Sequence, residues 1–158
     1  MRQDRLLADV KIDWNHHLVH SEKLYSSSYS NTVGGSATVA VHITTPATGR
    51  VHIDFTISAN KSGVIAFSEG DTLAGGTALA AYNNDRNSGN SASSVLKHDA
   101  TISAAGTTLR TIVLGAGQTT RISLNTEFIL KPSTAYSVVF TADGASTTAA
   151  INADFYEV

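Results

Sequence analysis

From Ser36 onward the chain places apolar side chains at every second position. Val39, Val41 and Ile43 share one face of an extended segment, and Val51, Ile53, Phe55 and Ile57 share the face of the next. A period of two marks strands with one side buried and one side wet. The Pro46-Ala47-Thr48-Gly49 turn between the two runs predicts a hairpin, with His42, His52 and Asp54 pointing outward. Val64-Ile65-Ala66-Phe67 reads as a short buried strand. Ser94 to Ser103, with Val95, Lys97 and His98, reads as a weak one, and Leu109 to Leu114 as a stronger one closed by Gly115-Ala116-Gly117. In the last third, Ile122, Leu124, Phe128 and Leu130 form one face. Pro132-Ser133 turns the chain, and Tyr136, Val138 and Phe140 return. Ile151, Ala153 and Phe155 close it. About eight or nine antiparallel strands without a strong interior helix predict an all-β protein, a β-sandwich or jelly roll.

Two stretches depart from this alternation. In residues 1–30, Leu6, Val10, Trp14 and Leu18 recur at the spacing of one helical face, while Val10, Ile12 and Trp14 alternate as in a strand. Both readings stand, with an extended arm preferred. Residues 1–30, including the polar Tyr25-Ser26-Ser27-Ser28-Tyr29-Ser30, are therefore set apart as an N-terminal arm and entry segment, and 31–158 as a single sandwich domain. The second stretch is the Gly- and Asn-rich hub from Glu69 to Ser88. It is expected to be a long connection without strands. Connections of that length are usually functional or disordered, and Arg86 is expected to be braced by backbone carbonyls or by Glu69, Asp71 or Asp85.

Composition narrows the function. Charged residues make up 15% of the 158, against roughly 25% in an average soluble domain, so Ser, Thr, Asn and Ala must clothe the surface. A net charge of −2 gives no electrostatic footprint for nucleic acid. The chain has no Cys, which removes disulfides, thiolate zinc sites and Cys nucleophiles together. No apolar run is long enough to span a membrane, and Met1 to Leu7 lacks the apolar core of a signal peptide. A protein made in a cytoplasm is expected.

Candidate chemistry is sparse. His16, His17 and His20 cluster, and His16 and His20 would meet on one helical face, but no carboxylate follows at a spacing that completes a zinc site. Hydrogen bonding or stacking is the preferred role, and no metal or cofactor is expected. Glu69, Asp71 and Asp85 are too scattered for a calcium loop. No Gly-x-Ser-x-Gly elbow, dinucleotide loop or phosphate loop occurs. A non-enzymatic protein is expected. Its contact residues are expected in the arm and the hub: Leu6, Leu7, Trp14, His16, His17, His20, Tyr82, Asn84 and Arg86.

Four pieces taken together carry a resemblance: His16 to Tyr25 (HHLVHSEKLY), Ser68-Glu69-Gly70, Tyr82 to Ser88 (YNNDRNS), and Glu127 to Tyr136 (EFILKPSTAY). In this order the chain resembles small tailed-phage virion proteins of the capsid decoration, or cement, type. The resemblance implies a non-enzymatic homotrimer on the capsid surface, partnered by itself and by the major capsid protein. It assigns no residue a role. The alternative is a carbohydrate- or receptor-binding sandwich of a phage tail or attachment structure. Such a module needs exposed aromatic residues, for which Trp14, Tyr25, Tyr29 and Tyr82 are the candidates.

Overall fold

The computed structural model describes residues 14–123, 127–144 and 146–158. Leu6, Leu7, Val10 and Ile12 of the arm, and Leu124, lie outside the described residues. A helix α1 (Trp14–His20) is followed by fourteen strands among the described residues: β1 (Leu24–Val33), β2 (Thr38–Thr44), β3 (Val51–Ala59), β4 (Gly63–Glu69), β5 (Thr72–Ala74), β6 (Thr77–Leu79), β7 (Tyr82–Asn83), β8 (Val95–His98), β9 (Thr101–Ala104), β10 (Thr107–Leu114), β11 (Thr119–Arg121), β12 (Phe128–Leu130), β13 (Ala135–Ala142) and β14 (Thr147–Glu157). They form an antiparallel β-sandwich, so the predicted fold class holds.

Sheet I has the order β11-β3-β14-β1-β7, with β12 also on β3. Sheet II has the order β10-β4-β13-β2-β8-β6. The inward faces of the two sheets make one core from the alternating residues, including Val39, Val41 and Ile43 from β2 and Ile53, Phe55 and Ile57 from β3. The rings of Phe55 and Phe67 meet across the sheets with centroids 5.8 Å apart.

The pairings differ from the expected hairpins. β2 belongs to sheet II and β3 to sheet I, so the Pro46–Gly49 turn is an arch between sheets. The same holds for β12 and β13, joined through Pro132-Ser133. The two arches pack together, Ser133 N donating to Pro46 O at 3.0 Å. The apolar faces of β2, β3 and β13 do line the core, but their strand partners differ from those expected. β3 pairs with β14, through Phe55 opposite Ala153, and β2 pairs with β13, through Val41 opposite Val138. The chain thus weaves between layers.

Three further segments are corrected. The Ser-rich entry segment is β1, paired along its full length with β14, so the boundary expected at residue 30 falls inside a strand. Tyr25 and Ser27 of that strand are buried. The extended arm is helical where it is described, over Trp14–His20. The weak strand of Ser94 to Ser103 is two strands on different sheets, β8 in sheet II and β9 pairing with β5 in a separate ribbon.

Candidate functional site

Helix α1 presents the candidates Trp14, His16, His17 and His20. Nε2 of His16 and Nε2 of His20 lie 3.0 Å apart, as the four-residue spacing predicts. Trp14 packs against His17, ring centroids 5.5 Å apart, and stays 57% exposed. Leu18 is the buried anchor of the helix. No group of three His, Cys, Asp or Glu side chains able to hold a metal ion occurs among the described residues. The His pair therefore lacks a third ligand there.

The turn that closes the helix contains Glu22, whose φ of 57° is left-handed. A non-Gly residue in that conformation needs local compensation, and the hub provides it. The Glu22 carbonyl accepts from Asn83 Nδ2 at 2.8 Å. Its carboxylate Oε2 accepts from Ser88 Oγ and Asn90 Nδ2, each at 2.7 Å. Further along, Glu157 receives the backbone N–H groups of Ser93 and Ser94 at 2.8 and 2.7 Å. Asn83 Oδ1 accepts from Asp85 N at 2.9 Å, an Asx-type turn that lets a Gly- and Asn-rich segment hold one shape.

The hub is therefore not a strandless loop. β5 forms a ribbon with β9, β6 extends sheet II, and β7 extends sheet I. The segment stitches one side of the sandwich shut, Ser27 Oγ donating to Ala80 O at 2.8 Å midway. Its expected ion pairs are absent among the described residues. Glu69 instead binds Lys131 at 2.6 Å and the Tyr136 hydroxyl at 2.8 Å. Those two hydrogen bonds hold its carboxyl below the usual range. Asp71 accepts from Ser68 Oγ at 2.5 Å and from Gly106 N at 2.8 Å. A Cβ on Gly106 would stand 2.0 Å from Glu69 O, so only Gly fits this approach. Arg86 rests over the exposed Tyr82 ring, 5.1 Å from its centroid, and makes one long bond of 3.4 Å to Asn83 O.

The two outer faces of the sandwich differ in character. On sheet II, cross-strand register aligns Val113, Val64, Thr141 and Thr38 in one row, and Thr111, Ala66, Val139 and Ala40 in the next. Neither row holds a charge. Val113 is 79% exposed, and Leu109 is also exposed at a bulge of β10. β10 is the sheet's terminal strand, with no strand on its outer edge among the described residues. Under the β5–β9 ribbon the same face turns polar. There His42, expected to be an exposed position, is only 1% exposed. Its Nδ1 lies 2.8 Å from Ser137 Oγ, and burial lowers its pKa against the opposing pull of Asp71 and Asp99.

The outer face of sheet I is mostly polar, with Ile129 of β12 exposed beside His52. His52, Asp54 and Thr56 of β3 lie opposite Tyr156, Asp154 and Asn152 of β14, and Ser26 and Ser28 of β1 continue the rows. The His52 ring stacks on Tyr156, centroids 4.5 Å apart. Glu127 Oε1 takes hydrogen bonds from the Tyr156 hydroxyl at 2.7 Å and from His52 Nδ1 at 2.9 Å. Burial pushes the Glu127 carboxyl up, but these bonds outweigh it and leave the pKa lowered. Trp14 also interacts with the Tyr156 hydroxyl, and Asn84 lines the same cavity as His52 and Tyr156. The candidates Trp14 and Asn84 thus converge on this face, while His16 and His20 pair with each other. Of the four aromatic candidates, Tyr25 is buried and Tyr29 is stacked on His98 at 4.0 Å, which leaves Trp14 and Tyr82 exposed. The polar constellation escaped the sequence reading because its members are spread over residues 26 to 156. The only local signal was alternation of polar residues at 52, 54 and 56 and at 152 and 154.

A scan of family models finds no match to the chain, and searches of curated proteins and of solved structures find none either.

Proposed function

We propose that this chain is a non-enzymatic phage virion protein that decorates and stabilises the capsid as a homotrimer, bound to the major capsid protein. The observation that carries the reading is the pair of uncharged rows on the outer face of sheet II that run to the open β10 edge. A long edge strand with exposed apolar side chains is a liability that monomers blunt with charge or cover. Here Leu109 and Val113 are exposed on it, and Arg110 is turned to Ile122 O and the Phe128 ring. A partner surface would cover this edge, and closed cyclic symmetry would satisfy it in every copy. The resemblance supplies the capsid and the threefold. The jelly-roll form of the sandwich belongs to the same proposal, and the weaving of the chain between sheets supports it.

In this reading the contact surface lies at the edge of sheet II opposite β6 and away from β7. The hub's candidates Tyr82, Asn84 and Arg86 are then free of the trimer contact. Light scattering and co-sedimentation with purified capsids test the proposal. A trimer that pellets with capsids is expected. Val113→Lys should lose both properties while its thermal unfolding stays close to that of the parent, because surface substitutions usually cost within ~0.5 kcal/mol. A parent chain that is monomeric at every concentration and stays in the supernatant would overturn it.

A further inference from the structure

The outer face of sheet I carries two adjoining cavities of about 340 and 440 Å³. Both volumes fall in the range of small-molecule sites, roughly 300–1,000 Å³. Asp154 lines both cavities. The first lies over His52, Glu127 and Tyr156, and the second over Ser28, Asn152 and Tyr82. They form one trough across β3, β14, β1 and β7.

From this trough we infer a binding site for a neutral saccharide. The register places Asp54, Asp154, Ser26 and Tyr82 side by side on four successive strands. Two carboxylates directly opposite each other on a sheet repel, so this row works against the fold unless each charge is compensated. Asp54 is compensated by Arg121 Nε at 2.8 Å and by Ser123 Oγ. Among the described residues Asp154 receives only a neutral donor, Ser26 Oγ at 2.7 Å on Oδ1. Asn152 is similarly oriented by Ser28, whose hydroxyl donates to Oδ1 at 2.7 Å and leaves the amide N–H₂ side for a ligand. Short side chains locked by a neighbour present acceptors and donors in fixed directions, which is how a site reads hydroxyl groups. The exposed ring of Tyr82 lines the second cavity beside Ser26, and the exposed Trp14 interacts with Tyr156, which lines the first. Such rings offer an apolar face with a polar edge.

The charge balance chooses the ligand class. Asp54, Glu127 and Asp154 face a single Arg121 across the first cavity, and Arg121 is already paired, so an acidic sugar or a phosphate is repelled. Hydroxyl-rich neutral ligands match carboxylates and amides that keep one side in the trough. The inference is independent of the capsid reading, because it uses the face opposite the β10 surface.

The test is an array of neutral, sialylated and uronic-acid oligosaccharides probed with the full chain, followed by chemical-shift mapping with the neutral oligosaccharide that binds best. Expected are hits among neutral glycans and shifts at Asn152, Asp154 and Tyr82. Asp154→Asn and Tyr82→Ala should each weaken binding at least about tenfold, or ~1.4 kcal/mol, with melting temperatures near the parent's. Tyr82 is 57% exposed, so its loss leaves the core untouched. No neutral glycan bound at millimolar concentration, a preference for the acidic sugars, or unchanged affinity in both variants would each overturn the site. Calcium alone producing the same shifts would overturn it as well, in favour of a cation.

Discussion

The carboxylate of Glu22 accepts a hydrogen bond from the hydroxyl of Ser88, 66 residues away, at 2.7 Å. Through that bond the end of helix α1 and the hub hold one another. Neither half has a shape of its own: Glu22 sits in a left-handed conformation, and the hub is built from small polar residues.

Removing this carboxylate should loosen the hub. Hydrogen bonds to charged groups contribute roughly 1.5–3 kcal/mol each, and Glu22→Ala loses those from Ser88 and Asn90. Limited proteolysis should then cut between Asn84 and Ser93, where the parent resists. Partial exposure of the site places the loss toward the lower end. Glu22→Gln should recover part of the resistance, since its amide oxygen still accepts.

Arg86→Lys is expected to leave the hub as resistant as the parent. The guanidinium makes no ion pair among the described residues and rests over Tyr82 at an exposed position. Substitutions of this kind usually stay within ~0.5 kcal/mol. New protease cuts in Arg86→Lys would show that the arginine carries more of the loop than its contacts indicate.

Burial separates two phenylalanines that look alike in the sequence. Phe55 is 1% exposed in the core, so Phe55→Ala should cost ~3–5 kcal/mol in denaturant unfolding. Phe128 is only partly buried against the core, under Arg110. Phe128→Ala should cost clearly less. Equal losses would mean that the open side of the sandwich is better packed than its exposure implies.

Stability should fall with pH in two stages. Burial lowers the pKa of His42 from its ordinary 6.5. Below that value the unfolded chain takes up a proton that the folded chain resists, and stability falls as pH falls. The loss starts as pH drops through about 6.5 and is complete at the folded pKa. The lowered carboxyls Glu69, Asp71 and Glu127 act in the same direction lower down. Their contribution is present above the ordinary carboxylate range and lost as pH falls through their folded values. Urea unfolding at pH 7.5, 6.0 and 5.0 should show the first stage, and His42→Gln should abolish it. A slope retained in His42→Gln would assign it to another group.

The sequence by itself determined which side chains are buried along most of the long strands. Alternation is a property of a single strand: Val39, Val41, Ile43 and Ile53, Phe55, Ile57 must face an apolar environment whichever neighbours they acquire. Turn positions were equally local, because Gly117 and Ser133 take left-handed φ values of 69° and 49° within their own tetrapeptides. The facing of His16 and His20 followed from helical spacing alone. Partner choice was different, because it depends on whether the chain between two strands folds back or arches to the other layer. Pro46–Gly49 arches, and only its packing against the Pro132-Ser133 arch shows why. β1 went unread for a related reason: its Ser residues find their partners only in distant segments, Ser27 on Ala80 O and Ser26 and Ser28 on Asp154 and Asn152 of β14. The trough on sheet I is likewise a product of tertiary structure, since Asp54 and Asp154 lie a hundred residues apart in the chain and become neighbours only through the β3–β14 register.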